Sequence, residues 1–162
     1  MIHLPDFHLS ASVALGVLGA GVLLVMGLLS GIWKYYAIMA SERARAPYYV
    51  DICHRAALMY SFAALVLAAL AGFSVWPETI NVWAMCANLL YFVLAIGSYA
   101  LHGLLKDTDN QFRSPHVIGP MTLPGVLMHA FMGTLILAEL GGTLVLLWGA
   151  AKALLPVVGF AP

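Results

Sequence analysis

Four long apolar stretches, separated by shorter polar ones, dominate the pattern of the chain. A helix needs about 20 mostly apolar residues to cross a bilayer. The four stretches reach this length, at about residues 10–33, 56–76, 80–105 and 123–148. Because every backbone polar group within lipid has to pair inside its own segment, each stretch is expected to be an α-helix. The pattern therefore predicts an all-α integral membrane four-helix bundle, with one domain over residues 1–162.

Composition agrees with lipid as the solvent of these helices. Hydrophobic residues make up 63% of the chain and charged residues only 9%, against roughly 25% charged residues in soluble domains. Seven basic residues balance seven acidic ones, which gives no electrostatic footprint for nucleic acid. The two cysteines fall in different predicted helices without a CxxC or zinc-ligand spacing, and this favours free thiols.

The distribution of basic residues predicts the orientation of the bundle. The second and third spans are joined by a short Pro77-Glu78 corner, which makes them antiparallel. Only Lys152 lies on the side of that corner, whereas six basic residues lie on the side of the two longer links: Lys34, Arg43, Arg45, Arg55, Lys106 and Arg113. By the positive-inside rule, the longer links are expected in the cytoplasm. Met1 and Pro162 are then expected on the non-cytoplasmic side, most simply of a bacterial inner membrane.

Two glycines of the first span, Gly27 and Gly31, form a small-x3-small pair. Such a pair lets two helices approach each other closely in lipid. The spacing predicts a tight helix contact, but it leaves open whether the partner helix belongs to the same chain or to another one.

Histidines near the predicted cytoplasmic surface are candidates for function, because ionisable side chains at membrane depth are costly. Three of them fall at similar depth on three different spans: His54, His102 and His129. Asp51 precedes His54 by about one helical turn, so its carboxylate is expected to orient the imidazole. A structural role, in which each histidine caps helix carbonyls, stays open. His3 and His8, near the amino terminus, are interpreted as incidental.

A polar and aromatic stripe is predicted along one face of the third span. Its members recur at steps of three and four residues, the spacing of one helix face: Asn88, Tyr91, Ala95, Tyr99 and His102. On the fourth span, Glu139 lies near the predicted middle of the bilayer. It is interpreted either as a functional group or as a protonated acid that bonds a neighbouring helix.

The candidate histidines favour a haem over a zinc ion. They come one per helix, and the chain has no HExxH, serine-hydrolase or phosphate-loop motif. A haem can be held by a single axial histidine. Two uses of such a haem stay open, catalysis at an open coordination position and electron transfer by a small b-type cytochrome. The cytochrome would use two histidines, His54 with His102 or His129, and a scaffold without a cofactor is the third reading.

Three features, taken in chain order, are shared with a known family. A glycine-rich first span and a polar loop precede Asp51-Ile-Cys-His54, Gly97-Ser98-Tyr99 lies late in the third span, and Asn110-Gln111-Phe112 with Gly119-Pro120 precedes a glycine-bearing fourth span. In these features the chain resembles the small four-helix membrane isomerases that include styrene oxide isomerase. The resemblance to hydroxylaminobenzene mutases is more distant.

The resemblance implies a haem b enzyme that isomerises a small hydrophobic epoxide to a carbonyl compound. By position, His54 would be the axial ligand of a haem held between subunits of a trimer, and Tyr99 would contact the substrate. The family has Asn-Gly six residues after the histidine, where this chain has Tyr60-Ser61. Tyr60 is expected either to replace that asparagine as a hydrogen-bond donor or to fill the pocket.

Overall fold

The fold is a bundle of four long helices, described here by a computed structural model for residues 9–159. The helices are α1 (Ala11–Met39), α2 (Tyr48–Phe73), α3 (Glu78–Leu105) and α4 (Gly125–Leu154). Each of them is long and apolar enough to cross a membrane. The predicted all-α four-helix architecture is therefore confirmed at this level. His3 and His8, and the predicted positions of Met1 and Pro162, lie outside the described residues.

The first two helices extend further than their apolar stretches. Helix α1 continues through Lys34 to Met39, and α2 begins at Tyr48, directly after Pro47. The link between the two helices is therefore only residues 40–47, shorter than the polar stretch of residues 34–55 between the predicted spans. Hydropathy marks the part of a helix that suits lipid, whereas the backbone hydrogen bonds continue until a residue such as proline removes a donor.

A tight corner joins α2 to α3. Helix α2 ends at Phe73, three residues before the predicted end at Trp76. The indole Nε1 of Trp76 instead donates to the Val145 carbonyl of α4 over 2.9 Å. Pro77, with φ at −52°, immediately precedes α3, and the Glu78 carboxylate accepts a 2.6 Å bond from the Ser12 backbone N–H at the start of α1. These bonds fasten α1, α3 and α4 around the corner.

The link between α3 and α4 contains a small hairpin that the sequence pattern did not predict. Strand β1 (His116–Ile118) pairs antiparallel with β2 (Met121–Leu123), and Gly119 turns the chain at φ +56°. Three-residue strands are too short to show the alternation by which a strand is recognised. The Gln111 N–H of this link donates to the Tyr49 hydroxyl near the start of α2. Both longer links therefore lie at the same end of the bundle, which we call the loop end.

Small residues bring α1 and α2 together. Gly27 faces Leu58, and Gly31 faces His54, where an added Cβ would lie 2.8 Å from the imidazole Cε1. The glycine pair therefore packs within one chain, which answers the question that its spacing left open. Cys53 and Cys86 are free, as expected.

Helix α4 has fully buried residues in only one of its halves. Its buried residues all lie in the second half of the helix: Gly142, Leu146, Gly149 and Ala150. The first half, residues 125–141, exposes large apolar side chains such as Leu137, which is 75% exposed. The main core accordingly lies between the other three helices and the second half of α4, around Leu23, Ala57, Met85, Ile96 and Leu146.

Candidate functional site

His54 lies in the contact between α2 and α1. Its Nδ1 is 2.9 Å from the Gly27 carbonyl oxygen. Because a carbonyl can only accept a hydrogen bond, Nδ1 carries the proton and Nε2 keeps its lone pair. A histidine that donates one ring nitrogen to a carbonyl in this way is oriented to ligate a metal with the other. The bare Gly31 opposite the ring leaves the space that the imidazole needs.

Asp51 was expected to orient His54, but it contacts other side chains instead. Its Oδ1 lies 2.6 Å from Lys34 Nζ of α1, and its Oδ2 lies 2.9 Å from Arg55 Nη2. The continuation of α1 to Met39 brings the Lys34 ammonium beside the carboxylate, and charged donors make stronger hydrogen bonds than a neutral imidazole. Asp51 therefore joins α1 to α2 at the loop end.

A carboxylate that the sequence analysis did not single out orients His102. Asp107 Oδ1 lies 2.8 Å from His102 Nδ1, and the two side chains are only 7% and 5% exposed. Lys106 ends α3 in the left-handed conformation, with φ at +51°. This reversal turns the following residue back towards the helix end. No helical spacing brings residues five apart together, so the pair left no periodic signal.

The Asp107 carboxylate also holds the hairpin. Its Oδ2 accepts a 2.6 Å bond from the Gly119 N–H. Burial opposes the ionisation of Asp107, but the bonds from Gly119 and His102 outweigh it and hold the pKa of this carboxyl below its ordinary value. The ionised carboxylate accepts a hydrogen bond from His102 Nδ1–H, and in the neutral imidazole Nε2 is then an acceptor. Within residues 9–159, Nε2 has no hydrogen-bond partner of its own.

Tyr60, Tyr99 and Glu139 come from three different helices and lie near one another between them. The ring of Tyr60 stacks on Phe92 with centroids 4.2 Å apart, and that of Tyr99 stacks on Tyr49 at 6.0 Å. The Oε1 atom of Glu139 is buried and finds no hydrogen-bond partner in the described part of the chain. The packing of α2, α3 and α4 thus gathers two phenols and a carboxyl in the interior.

The three candidate histidines do not form one site. His54 contacts α1, His102 contacts the link after α3, and His129 is exposed on the first half of α4. Among residues 9–159, no group of three or more histidine, cysteine, aspartate or glutamate side chains is arranged to hold a metal ion. At the other end of the predicted stripe, Asn88 has a structural role, since it bonds the Ala84 carbonyl and accepts from Thr143 of α4.

Comparison with known proteins gives no relative of this chain. No protein-family model matches it, and neither a curated protein nor a solved structure does. The functional assignment therefore depends on the chemistry of these side chains and on the resemblance that the sequence shows.

Proposed function

We propose that the chain is a membrane protein that binds haem b through His54 and isomerises a small hydrophobic epoxide to a carbonyl compound. The observation that carries this proposal is the bond from His54 Nδ1 to the Gly27 carbonyl, 2.9 Å long. It leaves Nε2 in the neutral form that an axial ligand requires. A haem brings four nitrogen ligands of its own, so a single histidine from the chain is sufficient.

The interior of the bundle supports the chemistry of this reaction. When bound, ferric haem supplies a Lewis acid for opening an epoxide C–O bond, after which a hydride shift gives the carbonyl without net redox. The Tyr99 hydroxyl has no hydrogen-bond partner among the described residues, so it is free to donate to the developing alkoxide. Tyr60 offers a second hydroxyl in the position of the family asparagine. The apolar surroundings exclude water, which would otherwise add to the opened ring and give a diol.

A homo-oligomer, a trimer by the resemblance, would complete the site. Within one chain, His54 faces α1 whereas Tyr99 stacks on Tyr49 between α2 and α3. This division supports a haem held between copies, because a neighbouring chain can then present its Tyr99 to the group held by His54.

An absorption spectrum of the purified protein tests the proposal. The wild-type protein should show a Soret band with a high-spin ferric signature that small epoxides perturb. His54→Ala should remove the band, because the axial ligand is lost. His129→Ala is the matched control and should retain the band, since that side chain is exposed on α4. A full Soret band in the His54→Ala variant would refute the assignment of the ligand, and a low-spin bis-histidine spectrum would favour a cytochrome.

We also propose that the loop end faces the cytoplasm, in a bacterial inner membrane, because six of the seven basic residues lie at that end. Glu42→Cys, in the exposed link between α1 and α2, should react with an impermeant maleimide only when the cytoplasmic face is open. Val158→Cys, beyond α4 and 66% exposed, should show the opposite pattern. Labelling of Glu42→Cys in intact cells would contradict the orientation.

A further inference from the structure

A cavity of about 280 Å³ lies at the loop end between α3, the hairpin and α4. Most of its wall is apolar, with side chains that include Leu94, Val117, Leu123, Met128 and Phe131. A cavity of roughly 150 Å³ is large enough to hold benzene. This cavity therefore has room for a molecule of about two fused rings.

Three polar side chains, Ser98, His102 and Gln111, also line the cavity. Gln111 is 7% exposed, and its side-chain oxygen is 3.4 Å from Ser98 Oγ. The Ser98 hydroxyl donates to the Ala95 carbonyl over 3.0 Å. The serine hydroxyl and the glutamine oxygen are joined to each other, whereas His102 Nε2 is a ring nitrogen without a hydrogen-bond partner among the described residues, so His102 offers the acceptor for a ligand.

The protonation of His102 selects the kind of ligand. In the neutral imidazole, with Nδ1–H committed to Asp107 at 2.8 Å, Nε2 can only accept a hydrogen bond. A carboxylate ligand would bring a second negative charge towards Asp107 and would face the lone pair of His102 Nε2. An ammonium ligand would lose its hydration against apolar walls, which is costly for a charge. A neutral hydroxyl meets the acceptor without either penalty.

We infer that this cavity binds a small neutral aromatic alcohol, whose hydroxyl donates a hydrogen bond to His102 Nε2. The aromatic rings lie against the apolar side chains, and Phe131 adds an aromatic partner for them. Pockets of this composition, mostly apolar with a few convergent polar groups, are typical of small-molecule sites. The inference makes no use of His54 and does not depend on the function proposed above.

Binding of 2-naphthol, compared with naphthalene, tests this site on the purified full-length chain. Equilibrium dialysis in detergent, corrected with protein-free micelles, gives both affinities. The hydroxyl should make 2-naphthol bind about tenfold more tightly, the effect of roughly one hydrogen bond in an apolar site. His102→Phe should remove this preference. Equal binding of both compounds to the wild-type protein would overturn the inference.

A cavity-filling substitution keeps the test decisive if His102→Phe does not fold. Met128→Trp places a larger side chain in the wall of the cavity and should abolish the binding of both compounds. Leu137→Trp is its matched control, on the same helix but 75% exposed, and it should bind like the wild type. Unchanged binding of 2-naphthol in Met128→Trp would place the ligand elsewhere and refute the site.

Discussion

Replacing Tyr99 by phenylalanine is expected to lower epoxide turnover about 10²–10³-fold, the cost of one lost donor to a developing oxyanion. The substitution removes only the hydroxyl, which has no hydrogen-bond partner among residues 9–159. The ring stacking on Tyr49, with an interplanar angle of 18°, remains available to phenylalanine. The haem spectrum of the variant should therefore stay nearly unchanged while steady-state turnover falls.

Tyr91→Phe serves as the matched control for this experiment. Tyr91 lies on the same helix, and its ring neighbours Phe131 at 5.9 Å, outside the Tyr60–Glu139 cluster. The epoxide turnover of Tyr91→Phe should equal that of the wild type. Full activity in Tyr99→Phe would remove the proposed role of the hydroxyl, and a joint loss of haem and activity would show that Tyr99 is structural.

Replacing Asp107 by alanine is expected to give the largest loss of stability. The change leaves two donors without their acceptor, the Nδ1–H of the buried His102 and the N–H of the half-buried Gly119. A buried donor left unpaired costs about 1–3 kcal/mol, which denaturation in detergent can measure. Asp109→Ala, an exposed neighbour, should change the unfolding free energy by less than about 0.5 kcal/mol.

The stabilisation by Asp107 should also depend on pH. Its pKa is lower in the folded chain than the ordinary value of 3.8. The advantage of the wild type over Asp107→Asn should therefore be complete above that ordinary value and be lost as the pH falls through the folded pKa. An advantage that grew on acidification would contradict the assigned charge state.

The helices could be predicted from the sequence because hydropathy is a local property of each stretch. The partners of the histidines could not, since they depend on where distant segments meet. The Gly27 carbonyl that fixes His54 belongs to another helix, and every residue offers such a carbonyl. The Asp107 contact with His102 requires left-handed backbone at Lys106, a conformation that residues other than glycine adopt uncommonly. Neither the Gly27 contact nor the Asp107 contact can therefore be recognised as a motif in the sequence.

The candidate catalytic groups were also predictable only one by one. Tyr60 and Tyr99 stood out by the resemblance, and Glu139 stood out by its depth in an apolar span. Their meeting depends on how the second half of α4 packs against α3, where Gly142 lies against Asn88. Packing between three helices has no expression in the periodicity of any one of them, so the cluster emerges only with the fold.

The uneven packing of α4 allows the helix to tilt about its buried half. The helix is fixed by the buried segment that begins at Gly142. The more exposed residues 125–141 carry Met128 and Phe131 at the wall of the cavity. Met128 lies about 21 Å along the helix from Gly142, so a tilt of about 5° would displace it by about 2 Å. The hairpin that precedes residues 125–141 is held to the end of α3 by Asp107. A molecule that enters the cavity between α3 and α4 would therefore meet a helix segment that can tilt about Gly142. The hairpin before that segment is held in place by the single Asp107 carboxylate.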